Sequence, residues 1–527
     1  MPTRRPLGAL GHAGTWRSAG ASACCAAFVA VHVVSGGLSS AHAQLIAVKT
    51  APVSDGGQFA FLPSANLGRG GLSIALPDSA LDPFLNPAKG SRLAGTHMFA
   101  APTFFSVSRK AGGGLTLPVG VSTSGRAWFG QFAVAMQEID ETAESQAIFA
   151  PGGGPLVDGV ISPNGAVVDD GEPSRQNRYV HGLVGRRLSS QLSVAASASW
   201  WRLNAMDGVE LYYAGSQRVR QSGEAADVRI GVFKEMARGQ SLELVALHNR
   251  FGVNQDVSFT DVFWNPSLRQ TTFVPRFEHN ADRTETWGLH LGYTQPLADS
   301  TWRVGAILTG NRITQPRLPD HDLPQVPGDA GRASAFNIGA GIARTKGPWT
   351  LGLDAILEPI WNRTWVRADA PVETLLGTTL DAGTHTLDSK FRFTNGIVRL
   401  GVGAVAPIPK DYSLTFDAGG QLHAVRYRLQ QWDAVRDTRS ASTQRWNEWT
   451  RTWGLSFRSA YADLRYRGHV TTGARRPGFD EFGGGVIAVD AVRPPSTSSF
   501  IGPIPNGLQF DKVSATTHQI SMSIPIR

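Results

Sequence analysis

The reactive side chains of this 527-residue sequence do not assemble into a catalytic constellation. No serine stands in a Gly-x-Ser-x-Gly elbow, no histidines are spaced His-Glu-x-x-His, and no glycine-rich loop carries the lysine of a phosphate cradle. The two cysteines, Cys24 and Cys25, are neighbours in an apolar stretch, so no Cys/His metal spacing exists. No catalytic residue, cofactor or metal site is therefore expected, and the chain does not read as an enzyme. What remains is charge placed at alternate positions. Arg229, Arg303, Arg399, Arg458, Arg465, Arg467 and His469 alternate with apolar residues, as do the acids Asp227, Glu243, Asp354 and Asp417. Mixed signs on one face of a strand suit a salt-bridged, hydrated interior more than a selectivity filter. The Arg465–Arg467–His469 row suits an anionic head group such as a carboxylate, or simple charge balance against the acids. His290 and His423 fall on the same faces and read as solvated lining. A second group, Asp78 with Asn86-Pro87-Ala88, lies in a non-alternating stretch; Pro87 fixes its own φ and biases Asn86 away from helix, so the pair initiates a turn.

The elements that position these residues are strands. From about residue 97 the sequence repeats segments of 9–14 residues in which alternate positions are apolar. Trp287, Leu289, Leu291 and Tyr293 alternate with Thr286, Gly288, His290 and Gly292; Trp349, Leu351, Leu353 and Ala355 alternate with Thr350, Gly352 and Asp354. Period two gives each segment one apolar and one polar face. A β-sandwich alternates too. Here the polar set is rich in Gly, Ser, Thr and Arg, and Trp or Tyr stands near segment ends, as a lipid-facing band with aromatic girdles requires. Short links such as 187–191, 238–241 and 345–348 alternate with long ones at about 139–176, 253–283, 368–388 and 473–513. The expected fold is all-β: a transmembrane antiparallel β-barrel of about 14–16 strands, with sixteen segments at 97–108, 115–122, 126–138, 177–187, 190–204, 225–236, 240–251, 284–296, 299–313, 332–344, 348–366, 390–406, 411–429, 443–458, 460–472 and 515–527. Asp207–Ser216 is a candidate hairpin arm within a loop. The last segment ends in Arg527, where barrels of this kind usually carry an aromatic residue.

Composition agrees. Charged residues make up 17%, below the roughly 25% of a soluble protein, while 14 Trp and 25 Phe exclude a disordered chain. No apolar run after residue 43 approaches the roughly 20 residues of a transmembrane helix. Residues 1–43 read as a secretory signal peptide: Arg4, Arg5 and Arg17 without an acid, the apolar stretch Ala21–Val34, then Ala41-His42-Ala43 before the cleavage point. That stretch is too short for a membrane anchor, Pro6-Leu7-Gly8 fits a twin-arginine signal poorly, and Cys24 precedes the apolar core where a lipidated cysteine would follow it. Cleavage removes both cysteines and three arginines, leaving 484 residues and 47 Lys+Arg against 42 Asp+Glu. That scattered excess gives no basic stripe for nucleic acid.

Residues 44–96 read as a separate N-terminal segment before a barrel of residues 97–527. Its run Leu67–Leu93, with Gly68–Gly71, Asp78 and Asn86-Pro87-Ala88, followed by Leu115–Gly120 and the hairpin to Met136, resembles the outer-membrane long-chain fatty-acid transporter family (FadL-like), which includes aromatic-hydrocarbon importers. Two features depart from that family's pattern: sixteen segments where fourteen are usual, and Lys89 where a glycine commonly follows the motif. The resemblance implies a bacterial outer-membrane barrel with residues 44–96 as a hatch. It also implies transport of a hydrophobic, fatty-acid or aromatic-like small molecule, with the lipid bilayer as partner. A structural or secretion-associated barrel binding a protein partner, and a diffusion porin narrowed by an inward-folded 139–176 or 253–283 loop, are the alternatives.

Overall fold

The computed structural model describes residues 44–54, 56–140, 175–209, 216–265, 269–315, 331–408, 412–477 and 510–526. The expected cleavage point, the 139–176 loop from residue 141 to 174 and the terminal Arg527 lie outside the described residues. Sixteen antiparallel barrel strands follow in chain order: β1 (Gly95–Ala100 and Thr103–Val107), β2 (Gly113–Ser124), β3 (Trp128–Asp140), β4 (Gln176–Arg187), β5 (Leu192–Leu203), β6 (Ser216–Glu235), β7 (Ser241–Asn265), β8 (Gln270–Pro296), β9 (Trp302–Gln315), β10 (Gly331–Lys346), β11 (Trp349–Arg367), β12 (His385–Ile408), β13 (Tyr412–Asp433), β14 (Thr438–Arg458), β15 (Asp463–Thr472) and β16 (Ala515–Ile526). Each pairs with its sequence neighbours, and β16 closes the barrel on β1 through Thr96↔Ile526 to Ala100↔Met522 and Thr103↔Gln519 to Val107↔Ala515. Closure leaves no free edge, as a sheet in lipid must. No helix among the described residues is long and apolar enough to cross a membrane.

The period-two alternation explains the wall. Trp287, Leu289, Leu291, Leu308, Leu351, Leu353, Val398 and Leu400 all face outward and are exposed. Trp128, Trp302 and Trp349 mark the end with short turns, and Trp200, Trp287 and Trp361 the end with longer connections. β1 is interrupted at Ala101-Pro102 without a slip in register: Ala101 N–H still donates to Pro118 O and Ile520 N–H to Pro102 O. Two prolines, neither with an N–H, face this gap.

The structure corrects two expectations. The 253–283 stretch is not a loop. β7 and β8 continue as a ladder from Val253↔Asp282 to Asn265↔Gln270, so this stretch cannot fold inward as a porin constriction. Of the candidate arm Asp207–Ser216, residues 207–209 form a turn and Ser216 opens β6, while 210–215 lie outside the described residues. The interior is not a uniformly polar, hydrated lumen. Toward the long-connection end, Ile313, Ile360, Phe391, Phe393, Val425 and Tyr427 turn inward and pack on Ile46 and Val48. Tyr179, Leu203, Met206, Val253 and Val257 likewise pack on Ala51, Val53 and Phe61. An inward apolar side chain is stable here because another part of the chain covers it.

Candidate functional site

Residues 44–94 occupy the barrel interior, and their own polar groups fix them there. The segment folds around Asp78, 3% exposed. Its carboxylate accepts from Ser64 Oγ (2.6 Å), Ala65 N–H (2.8 Å), Asn66 N–H (3.0 Å), Ala80 N–H (3.1 Å) and Leu81 N–H (3.0 Å). Asn66 Nδ2 donates to the carbonyls of Leu72, Leu76 and Pro77, closing the same loop. A carboxylate saturated by five donors has no spare lone pair for a ligand, so Asp78 acts as an organiser of the segment.

The glycine run meets glycines on the wall. A Cβ on Gly419 would lie 2.5 Å from Arg69 C and 2.7 Å from Leu400 O, and one on Gly70, which sits at φ +72, would lie 2.7 Å from Gly420 O. A Cβ on Gly68 would lie 3.1 Å from Gly454 Cα, and Gly401 and Gly403 face Arg69. Only backbones without Cβ can approach this closely. Thr452 Oγ1 accepts from Gly70 N–H (2.8 Å) and donates to Gly68 O (2.9 Å). Arg69 Nε pairs with Asp417 at 2.6 Å and Arg467 with the same carboxylate at 3.2 Å. Further along, Ser73 and Ile74 N–H donate to Asp354 Oδ2, and Ile46 N–H donates to Asn311 Oδ1 at 2.7 Å.

The Asn86-Pro87-Ala88 turn docks on β6 and β7. Asn86 Oδ1 caps the following turn by accepting from Ala88 N–H (3.1 Å), and Asn86 Nδ2 donates to Glu243 Oε2 (3.1 Å). A Cβ on Gly231 would lie 3.0 Å from Pro87 Cδ. Lys89 pairs with Glu243 at 2.9 Å and with Asp82 at 3.5 Å. The residue that departs from the family pattern thus makes the ion pair holding the turn to the wall. Burial pushes the Asp82 carboxyl up to about 6, against the opposing pull of Lys89; Glu243 and Asp78 add to the rise and Arg92 lowers it. A carboxyl raised above its ordinary value contributes stability that is complete below about 3.8 and is lost as pH rises through about 6. Hydrogen-exchange protection of residues 82–92 is expected to be greater at pH 4 than at pH 7.5, and Asp82→Asn to abolish the difference. Equal pH dependence in the variant would locate the effect elsewhere.

Between the segment and the wall lies a cavity of about 420 Å³ with a mainly apolar lining, within the roughly 300–1,000 Å³ usual for small-molecule sites. Phe61, Phe84, Tyr179 and Trp201 stand on one side, Ile46, Ile313, Ile356 and Ile397 on another, with Arg399, Glu358, His423 and Glu448 forming a polar corner. Phe61 and Tyr179 lie 4.5 Å apart between ring centroids, and Phe84 packs on His181 at 4.8 Å. Tyr179 OH donates to Gln137 Oε1 at 2.5 Å, which fixes the ring. Lys49 caps the polar corner through Glu448 at 2.6 Å.

The charged residues singled out by alternation all point inward, in different roles. Arg229 is held by Asp227 (2.6 Å) and Gln44 Oε1 (2.8 Å) and lines the cavity. Arg399 reaches Gln421 Oε1 (2.7 Å) and Ser73 Oγ (3.1 Å) at the polar corner. Arg467 is taken up by Asp417, Ser456 and Ala65 O; Arg465 turns to Asp463 (2.6 Å) at the short-turn end; Arg303 is half-buried at the same end. His469 lines the cavity, and its buried Nδ1 has no hydrogen-bond partner among the described residues. Arg465, Arg467 and His469 therefore do not form one anion row, because ion pairs draw the arginines away from His469. His290 and His423 are buried, not solvated; His290 Nδ1 meets Thr309 Oγ1 at 2.7 Å. Alternation gave no sign of the apolar half of the cavity or of residues 44–64. The available signal was glycine at inward positions of three successive strands, Gly401, Gly419 and Gly454, which marks a wall approached by backbone.

No protein-family model and no curated protein matches the sequence. Among solved structures, the chain is similar to a FadL homologue of Pseudomonas aeruginosa, at 12% identity over 89% of this chain and 100% of that one, with a TM-score of 0.40. It is similar to the toluene transporter TodX of Pseudomonas putida at 11% identity, over 92% and 100% of the two chains, with a TM-score of 0.36. The copper transporter OprC is similar at 11% identity over 82% of this chain and 80% of that one, TM-score 0.35.

Proposed function

We propose that this chain carries hydrophobic small molecules, fatty-acid or aromatic-like, across the bacterial outer membrane. In this reading a signal peptide is cleaved after Ala43 and residues 44–96 serve as a hatch. The observation that carries it is the mainly apolar cavity lined jointly by the N-terminal segment and the wall. A hydrated solute gains nothing from the Phe61–Tyr179–Trp201 side, whereas an apolar one gains roughly 25 cal/mol per Å² of surface removed from water. The polar corner adds orientation: Arg399 offers a cation to a carboxylate head while Lys49 neutralises Glu448 beside it, and an uncharged aromatic dispenses with both. Specificity then resides in shape, which suits a class of molecules more than one compound. The plain porin reading is disfavoured, since a diffusion pore keeps a continuous water-filled channel, whereas residues 44–94 pack across this interior on both walls.

Ala133 on β3 is buried and lines the cavity. Ala133→Phe is expected to fill that space and weaken binding of lauric acid and of an alkylbenzene at least tenfold in calorimetric titration of the purified protein, with the barrel still heat-modifiable on gels. Undiminished affinity for both ligands would place the site elsewhere.

A further inference from the structure

We propose that the outward face of β10–β14, just beyond the aromatic girdle at the long-connection end, binds the phosphates of a bis-phosphorylated acylated disaccharide (lipid A) in the outer leaflet. The proposal shares with the reading above only the placement in the outer membrane, and concerns a different face of the wall. Four cation pairs stand directly opposite each other across neighbouring strands: Arg332↔Arg363, Arg363↔Lys390, Arg392↔Arg428 and Arg426↔Arg445. All seven side chains are exposed. Residues opposed in an antiparallel pair hold their Cβ atoms about 4.5–5.5 Å apart, and like charges so placed destabilise the sheet. One carboxylate, Asp388, stands among them. It is taken by Arg363 Nε (3.1 and 3.0 Å) and by His385 (3.5 Å). The other six cations make no ion pair among the described residues. A patch of seven cations that repels itself, with a single internal carboxylate already engaged by Arg363 and His385, is arranged for an external anion.

Position and chemistry select which anion. The patch begins where the lipid-facing band ends: outward Trp361, in edge contact with Phe336, stands opposite Arg392. Trp365 lies beneath Arg332 and Arg363, with guanidinium-to-ring distances of 5.9 and 5.7 Å, and stacks on His385 at 5.6 Å. These contacts hold the arginines at the height of a membrane interface, where lipid head groups lie. Six of the seven cations are arginine, whose planar fork matches phosphate oxygens bidentately. The same arrangement recurs at Arg178↔Arg202, one outward position beyond Trp200. The short-turn end differs. There Arg186 and Arg344 each cap a single tryptophan, at 5.5 and 5.0 Å, and face Val194 and Leu351 across the next strand instead of a second cation. Among the described residues only one rim carries opposed cations, as expected for a membrane whose two leaflets carry different head groups.

The test is native mass spectrometry with parallel affinity titration of the purified full chain in detergent. The probes are bis-phosphorylated lipid A, its monophosphorylated form, phosphatidylglycerol and inorganic phosphate. Wild type is expected to bind bis-phosphorylated lipid A at least tenfold more tightly than any other probe, and Arg392→Gln/Arg426→Gln/Arg428→Gln to lose that preference at least tenfold. Lysine at the same three positions should restore part of it. Lauric acid binding in the cavity is expected to be unchanged in both variants, which separates this proposal from the transport reading. Equal affinity for lipid A and phosphatidylglycerol in wild type would overturn the proposal without use of a variant, as would a glutamine variant that binds lipid A like wild type.

Discussion

Asp78→Ala is expected to release the N-terminal segment from the lumen while the barrel stays closed. The substitution leaves the Ala65, Asn66, Ala80 and Leu81 N–H groups and the Ser64 hydroxyl without their shared acceptor. Hydrogen bonds to a charged group are worth about 1.5–3 kcal/mol each, and an orphaned buried donor costs about 1–3 kcal/mol. These contributions are not additive, but a loss on the order of 5 kcal/mol in the docked state follows, enough to raise the undocked population more than a thousandfold. Limited proteolysis read by mass spectrometry should then show rapid cleavage within residues 44–94 and an intact β2–β16 fragment. Asp78→Asn, which keeps an acceptor oxygen and loses the charge, should fall between. Wild-type protease resistance in Asp78→Ala would show that the wall contacts alone hold the segment.

Gly419→Val is expected to break the same docking from the opposite side. Its side chain would have to enter space held by Arg69 C and Leu400 O, both backbone atoms that cannot swing away. Overpacking a close-packed site costs about 1–3 kcal/mol when side chains can adjust, and more when backbone must move. Displacing Arg69 also parts it from Asp417 and leaves that buried carboxylate with Arg467 alone, where breaking a buried ion pair costs about 3–5 kcal/mol. The measurable consequence is a channel: steady ion conductance of Gly419→Val in planar bilayers should exceed wild type at least tenfold. Gly396→Val serves as the control, since a Cβ there meets nothing within 4 Å. Matching conductances for both variants would remove the glycine contact from the account.

The two variants probe features that the sequence disclosed unequally. Alternation placed all sixteen strands, because lipid demands an apolar residue at every second outward position, as at Trp287, Leu289 and Leu291. The same signal failed where that demand ends. β7 and β8 run on past the lipid band, where Val253 and Val257 face inward and the outer face no longer has to be apolar, so the alternation changes phase and reads as loop. The interior was legible as charge and not as partnership. Arg467 and Asp417 stood on the expected face, but that Arg69 would join them from 348 residues away in the chain depends on closure of the whole barrel. Asp78 was visible as part of a motif, while its five donors arise only once residues 64–81 curl around it.

Residues 44–94 pack across the barrel interior and leave an apolar cavity against the wall, and the proposed transport requires that this packing close the barrel to bulk water and ions. The most direct measurement is single-channel recording of wild-type protein reconstituted in planar bilayers in 1 M potassium chloride (roughly 3 Å Debye length, so that charged lining cannot mask an open route). The account predicts traces without steady conductance steps. Large, persistent, ohmic steps from the wild-type chain would contradict it.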